Sequence, residues 1–125
     1  MRPSALLLLL PLLAACSGDT PLVCTAEARF GVNVTVRNAV TKQPVLDGVR
    51  GTLQDGSYSE TLQVMHDIEG RINSLAGAIE RPGNYRIDLV ADGYQPWARE
   101  NVRVTADRCH VTPVVVQADL VPAGG

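Results

Sequence analysis

The strongest constraint on the fold is an alternation of apolar and polar residues with a period of two, which begins near Phe30. In the first such segment, Val32, Val34 and Val36 are separated by single polar residues. Side chains of a strand point alternately to its two faces, so this pattern indicates a half-buried strand. No segment after residue 15 has the 3.6-residue period of an amphipathic helix. We therefore expect an all-β chain.

Turn-forming residues divide the chain into short strands. The pairs Asp55-Gly56 and Asp92-Gly93 and the segment ERPGN at 80–84 each favour a turn. The seven predicted strands lie around Val32–Val36, Val49–Leu53, Tyr58–Val64, Arg71–Ile79, Tyr85–Ala91, Val102–Val104 and Val111–Leu120. Seven short strands in one chain of this size favour a single antiparallel β-sandwich, in which the first and last strands are parallel neighbours.

The beginning of the chain has the pattern of a secretion signal. Arg2 precedes an apolar run that is too short to span a bilayer as a helix. The run ends in LAAC at 13–16, which resembles the lipobox of bacterial lipoproteins, where the cysteine is lipidated and becomes the new N-terminus. This resemblance predicts a signal peptide over 1–15, a lipid anchor on Cys16 and a tether to residue 23. The alternative is an ordinary signal peptide cleaved near Ala15, with Cys16 a free thiol.

The residue after the lipidated cysteine helps to select the membrane in the lipoprotein family. Asp at this position would favour the inner membrane. Ser17 instead resembles the residues that follow the cysteine in outer-membrane lipoproteins. The predicted location is the bacterial cell envelope, where the lipid on Cys16 would anchor the protein in a membrane. The outer membrane is favoured over the inner membrane. The domain would then lie in the periplasm or at the cell surface.

The charge of the chain excludes one class of partner. The formal net charge is −2, from 11 Lys and Arg against 13 Asp and Glu, and neither sign is clustered. Nucleic-acid binding requires a basic face. No nucleic-acid partner is therefore expected.

The three cysteines are an odd count for an exported protein. If Cys16 carries lipid, Cys24 and Cys109 remain, and an oxidising compartment favours a disulfide between them. Both cysteines precede strands, and parallel first and last strands would bring them to the same end of the sandwich. Two unpaired buried thiols are the alternative.

Two segments carry a resemblance to a domain family. VRNAVTKQPVLDGV at 36–49 has Thr, Pro, Val and Gly at the expected spacing, although Lys42 stands where the pattern has Gly and Asn38 where it has Asp. GNYRIDLVADGY at 83–94 matches a Gly-x-Tyr segment that ends in Ala-x-Gly-Tyr. These segments resemble carboxypeptidase regulatory-like domains. The resemblance implies a transthyretin-like (prealbumin-like), Ig-like sandwich over 24–121, a tail at 122–125, and a structural or protein-interaction role.

No residues form a motif for catalysis. The sequence lacks a Gly-x-Ser-x-Gly nucleophile motif, a His-Glu-x-x-His zinc motif and a phosphate-binding glycine loop. His66 and His110 fall at strand edges, where solvated histidines are common. We expect no enzyme activity, no metal and no cofactor, and an envelope hydrolase that uses either histidine is the least favoured function.

The aromatic residues of 83–97 have two different predicted roles. Tyr85 is expected to pack its ring inward while its hydroxyl reaches a polar group at the rim. Tyr94, Gln95 and Trp97 are candidate ligand contacts, because exposed aromatics beside amides stack on sugars or anchor a partner protein. Trp97 can equally cap the sandwich, and the low aromatic content of 4% favours that role.

The sequence therefore predicts a non-catalytic envelope lipoprotein that presents a β-sandwich as a structural or protein-interaction module. Its expected partner is an envelope protein or a glycan. The alternative is a carbohydrate-binding module that uses Tyr94, Gln95 and Trp97.

Overall fold

The computed structural model describes residues 21–45 and 47–124. The predicted signal peptide, Cys16 and most of the predicted tether lie outside these residues. Across the described residues, no helix is long and apolar enough to cross a membrane. The strands are β1 Phe30–Asn38, β2 Val49–Asp55, β3 Tyr58–Thr61, β4 Gln63–His66, β5 Ile72–Ile79, β6 Gly83–Ala91, β7 Trp97–Val104 and β8 Val114–Leu120.

These strands form two sheets that pack against each other, which confirms the predicted all-β sandwich. Sheet A has the order β4-β5-β1-β8, and sheet B has the order β3-β2-β6-β7. β1 pairs in parallel with β8, from Val32 opposite Val114 to Asn38 opposite Leu120, as predicted for the first and last strands. The other neighbouring strands pair antiparallel.

The predicted third strand is divided between the two sheets, so the described residues form eight strands where seven were predicted. Tyr58–Thr61 pairs with β2 in sheet B, whereas Gln63–His66 pairs with β5 in sheet A. The chain crosses between the sheets at Leu62, whose side chain is 3% exposed. The Leu62 N–H still donates to the Gly51 carbonyl at 2.8 Å. The apolar alternation continues through the crossing, so the sequence pattern does not reveal it.

Both sheets contribute side chains to one core. Val32 and Val34 of sheet A and Leu53 and Ile87 of sheet B are fully buried. In β6 the buried residues alternate with less buried ones in the predicted register. Full burial of such a side chain contributes about 1.5–3 kcal/mol relative to exposure, so the alternating faces hold the sheets together.

Close packing of the sheets requires glycine at two core positions. A Cβ atom at Gly51 would lie 2.5 Å from Leu89 Cδ2. A Cβ atom at Gly77 would lie 2.4 Å from Glu60 Oε1 and 2.6 Å from Leu53 Cδ1. Any side chain at either position would force its neighbours apart.

Different loops form the two ends of the sandwich. The end at which β1 begins is called the N-terminal end, and it carries residues 21–29, the β2–β3 turn, the β5–β6 turn and the β7–β8 loop. The opposite end is called the distal end. It carries the β1–β2 loop, the β4–β5 turn, the β6–β7 turn and the residues after Leu120.

Candidate functional site

A disulfide joins the two cysteines of the described chain at the N-terminal end. Cys24 and Cys109 are bonded, with their Cα atoms 5.2 Å apart, as the sequence predicts. The bond ties residues 21–29, which form no strand before Phe30, to the β7–β8 loop. It closes a loop with a sequence separation of 85.

A hydrogen-bond network around Glu80 fastens the same segment. His110 is only 9% exposed, and its Nδ1 lies 2.8 Å from Glu80 Oε1 while its Nε2 lies 2.9 Å from Thr25 Oγ1. The backbone N–H groups of Arg29 and Val111 also donate to the Glu80 carboxylate, at 2.7 and 3.1 Å. Burial raises the pKa of Glu80, but the hydrogen bonds from His110, Arg29 and Val111 outweigh it, so the pKa lies below its usual value.

This network has the connectivity of a hydrolytic triad, with a carboxylate, an imidazole and a hydroxyl in sequence. Its other contacts are structural, however. Backbone N–H groups occupy both oxygens of Glu80, and Thr25 directly follows a disulfide cysteine. The network therefore holds residues 25–29 against the β5–β6 turn and the β7–β8 loop.

The structure does not bring the two histidines together. His66 ends β4 at the distal end, whereas His110 lies in the β7–β8 loop at the N-terminal end. Within the described ranges, no group of three or more His, Cys, Asp or Glu side chains is placed to hold a metal ion. A reaction that uses both histidines is thus incompatible with this arrangement.

Tyr85 occupies the predicted position. Its side chain is fully buried, and its hydroxyl donates to the Arg81 carbonyl at 2.7 Å and accepts from Arg81 Nη1 at 2.9 Å. Arg81 also pairs with Asp55 at 3.0 Å and lies 3.7 Å above the Tyr58 ring. Tyr85 is therefore a core residue whose hydroxyl is satisfied at the rim, as predicted.

The candidate ligand contacts lie in and beside the β6–β7 turn, at the distal end. Tyr94 and Trp97 are half-buried and pack against the core. Asn38 Nδ2 donates to the Tyr94 hydroxyl at 3.3 Å, and the Arg99 guanidinium lies 5.4 Å from the centre of the Trp97 ring. Gln95 is exposed. Both aromatics therefore have structural contacts, and Gln95 is the most accessible of the three.

A cavity of about 430 Å³ at the distal end was not predicted. It forms where sheet A splits. The pairing of β1 with β5 ends at Val34 opposite Leu75. Beyond this point, residues 43–45 pair with that edge of β1 in place of β5. The Val45 N–H donates there to the Val36 carbonyl at 3.0 Å. Ile72 and Asn73, at the start of β5, line the other side of the gap.

Three cationic side chains line this cavity, those of Arg37, Lys42 and Arg71. Arg37 pairs with Asp119, and Arg71 pairs with Asp67 at 2.9 Å and with Glu69 at 2.6 Å. The hydrogen bond from Arg37, with further attraction from Lys42, holds the pKa of Asp119 below its usual value.

Lys42 differs from the two arginines in its surroundings. It takes part in no ion pair with the described residues. Its backbone has a φ of 62°, in the left-handed region that favours glycine. The one sequence sign of this site was Lys42 itself, which stands where the regulatory-like pattern has Gly.

No protein-family model matches the sequence, and no curated protein matches it.

Proposed function

We propose that this protein is a non-catalytic lipoprotein of the bacterial envelope that displays a transthyretin-like β-sandwich as a structural or protein-interaction module. One observation carries the proposal. Residues 21–29, which would follow a lipid anchor on Cys16, enter at one end of the sandwich, and the cavity lies at the opposite end. An anchor at the first end would leave the second end facing away from the membrane.

The distal loops have the surface that a protein contact needs. Ile68 in the β4–β5 turn is fully exposed, and Val40 in the β1–β2 loop is 74% exposed. Exposed apolar side chains supply apolar area that a protein contact can bury, although single ones also occur elsewhere on the surface, as at Val23 in the N-terminal segment. These two residues support the distal end as the contact surface.

Two glycines support the carboxypeptidase regulatory-like assignment. Gly48 and Gly93 occupy glycine positions of the resembling pattern, and their φ values are 68° and 83°. Residues with a Cβ atom rarely adopt such φ values, so the pattern's glycines match a backbone requirement of this chain.

Lipidation is tested by the intact mass and the membrane association of the expressed protein. The wild type should begin at Cys16, carry acyl mass and sediment with membranes. Cys16→Ser should abolish both properties, and Ser17→Asp should move the protein from the outer to the inner membrane. An unmodified Cys16 in protein that does not sediment would overturn the anchor.

The interaction role is tested by photocrosslinking in cells. A photoreactive residue at Val40 or Ile68 should capture one envelope protein. The same residue at Ser57, which is exposed in the β2–β3 turn at the N-terminal end, is the matched control. Equal capture from both ends would contradict a distal contact surface.

Carbohydrate binding is the second candidate function, and the position of Tyr94, Gln95 and Trp97 together at the distal end favours it. Trp97 is the single tryptophan of the chain, so its fluorescence reports directly on this site. A polysaccharide ligand should quench it, and Trp97→Ala should abolish binding. Strong destabilisation by Trp97→Ala without any quenching would instead identify Trp97 as a core cap.

A further inference from the structure

We propose that the distal cavity binds the free carboxylate at the end of a peptide chain. The inference rests on the proposed function, because it names the chemical group by which the interaction module would hold its partner. Three features of the cavity carry it: a cation without an ion-pair partner among the described residues, an apolar wall, and a part of β5 that does not pair with β1.

The distribution of charge in the site leaves one place for a negative group, beside Lys42. Asp119 already pairs with Arg37, and Asp67 and Glu69 already pair with Arg71. Lys42 remains as the cation without an ion-pair partner in the described chain. The three cations and three carboxylates sum to zero, but Arg71 holds two of the carboxylates, so the unmatched positive charge lies at Lys42. A ligand carboxylate would pair with Lys42 there.

The backbone of Lys42 also indicates a role for its side chain. A φ of 62° is sterically unfavourable for a residue with a Cβ atom but not for glycine. The Lys42 N–H donates to the Asn38 carbonyl at 2.9 Å, which holds the turn, whereas the Lys42 side chain forms no ion pair with the described residues. A strained residue at the rim of a cavity is a reason to infer a functional contact.

The apolar part of the cavity suits the side chain of a terminal residue. Val36 and Val45 are buried at its wall, and Ile72 is half-buried beside them. The loops that carry Lys42 and Arg71 also carry the exposed Val40 and Ile68. These residues offer contacts to the positions that precede a terminal residue.

The split in sheet A offers the peptide backbone a partner. The residues of β5 that precede Leu75, back to Ile72, run along the cavity without pairing with β1. The corresponding part of β1 pairs with residues 43–45 instead. An extended peptide can add to such a strand by main-chain hydrogen bonds, while a pocket takes its side chain. A bound peptide would thus extend sheet A and end with its carboxylate at Lys42.

The test uses the full chain in a non-ionic detergent and two fluorescein-labelled pentapeptides of identical sequence that end in valine. One peptide has a free C-terminal carboxylate, and the other has a C-terminal amide. Fluorescence anisotropy should show the acid binding at least about tenfold more tightly than the amide, as expected when a charge-assisted contact is lost. Lys42→Gln should remove this difference. Arg50→Gln, an exposed change on sheet B, should leave it intact.

Three outcomes would overturn the proposal. The first is equal binding of the acid and the amide peptide. The second is no binding of either peptide at millimolar concentration. The third is competition by inorganic phosphate as strong as that by the unlabelled acid peptide. A Lys42→Gly variant guards against misfolding as an explanation, because it removes the strained side chain without burying a new group. It should fold and lose the preference for the acid.

The proposed function and this inference fail differently. If the partner captured at Val40 is retained by a Lys42→Gln/Arg71→Gln double variant, the interaction module stands and the carboxylate site is wrong. If the wild type captures no partner but still prefers the acid peptide, the site stands and the displayed interaction module is wrong.

Discussion

Replacing Cys24 and Cys109 by serine removes the covalent link between the N-terminal segment and the β7–β8 loop. Serine is close in size to cysteine, and both positions lie outside the strands, so the change creates no cavity in the core. The two sheets and the β1–β8 pairing remain available to the reduced chain. The expected effect is therefore on stability, with the fold retained.

The magnitude follows from the loop that the disulfide closes. In the chain-entropy model, a sequence separation of 85 corresponds to about 4.5 kcal/mol of stabilisation through the unfolded state. Without the disulfide, residues 21–28 of the folded variant also gain conformational entropy. This gain stabilises the folded variant by about 1 kcal/mol and offsets part of the loss. The Thr25–His110 and Arg29–Glu80 hydrogen bonds limit that freedom. We expect a net loss of about 3.5 kcal/mol in the free energy of unfolding.

Urea unfolding, followed by Trp97 fluorescence and by circular dichroism, measures this loss. The double variant should unfold at lower urea and with a larger m-value, because its unfolded state is less compact. Reduction of the wild type should reproduce the result. Thr25→Val, which removes the hydroxyl but keeps the disulfide, is the matched control. A loss below about 1 kcal/mol would refute the loop-closure reasoning.

Three further predictions concern the network, the core and the packing of the sheets. The backbone N–H groups of His110 and Cys109 donate to the Asp107 carboxylate at 2.9 and 2.8 Å. Hydrogen bonds lower the pKa of Asp107 below 3.8 and, against the effect of burial, that of Glu80 below 4.5. The stabilisation by both groups should therefore be complete above those values and lost as pH falls through the lowered ones; urea midpoints against pH measure this, and Glu80→Gln should flatten the acid limb. Tyr85→Phe should cost about 1 kcal/mol in thermal or urea unfolding, because the Arg81 carbonyl loses its donor; no loss would show that the hydroxyl is replaced by water. Gly77→Ala should cost about 1–3 kcal/mol in the same assay, because its Cβ atom would lie 2.6 Å from Cδ1 of the fully buried Leu53 in the opposite sheet; an unchanged midpoint would mean that the core side chains can move aside.

The sequence predicted the features that depend on local periodicity. Alternation in Tyr85–Ala91 gave the correct buried face, because a strand's two faces are fixed by the pleat. The count of cysteines and the parallel neighbours β1 and β8 together predicted the disulfide partners. Each of these inferences needs only residue order and one geometric rule.

The features that depend on tertiary arrangement were not predicted. The crossing at Leu62 is invisible in the sequence, because the alternation is the same whether the strand stays in one sheet or enters the other. The cavity depends on residues 43–45 replacing β5 along β1, a choice that no local pattern specifies. Glu80 gave no sequence signal, because its partners Arg29 and His110 are distant in the chain.

The parallel pairing of β1 and β8 also determines how the domain would respond to a pulling force. The relevant case is a tension that enters at the N-terminal segment and leaves through the residues after Leu120. With the disulfide intact, Cys24 passes the load directly to Cys109, so the covalent backbone of β8 carries it toward Leu120. After reduction the load would pass from β1 to β8 across their hydrogen bonds, which run side by side and would be sheared together. A single redox change would thus convert a covalently loaded tether into one whose strength is set by a ladder of seven residue pairs.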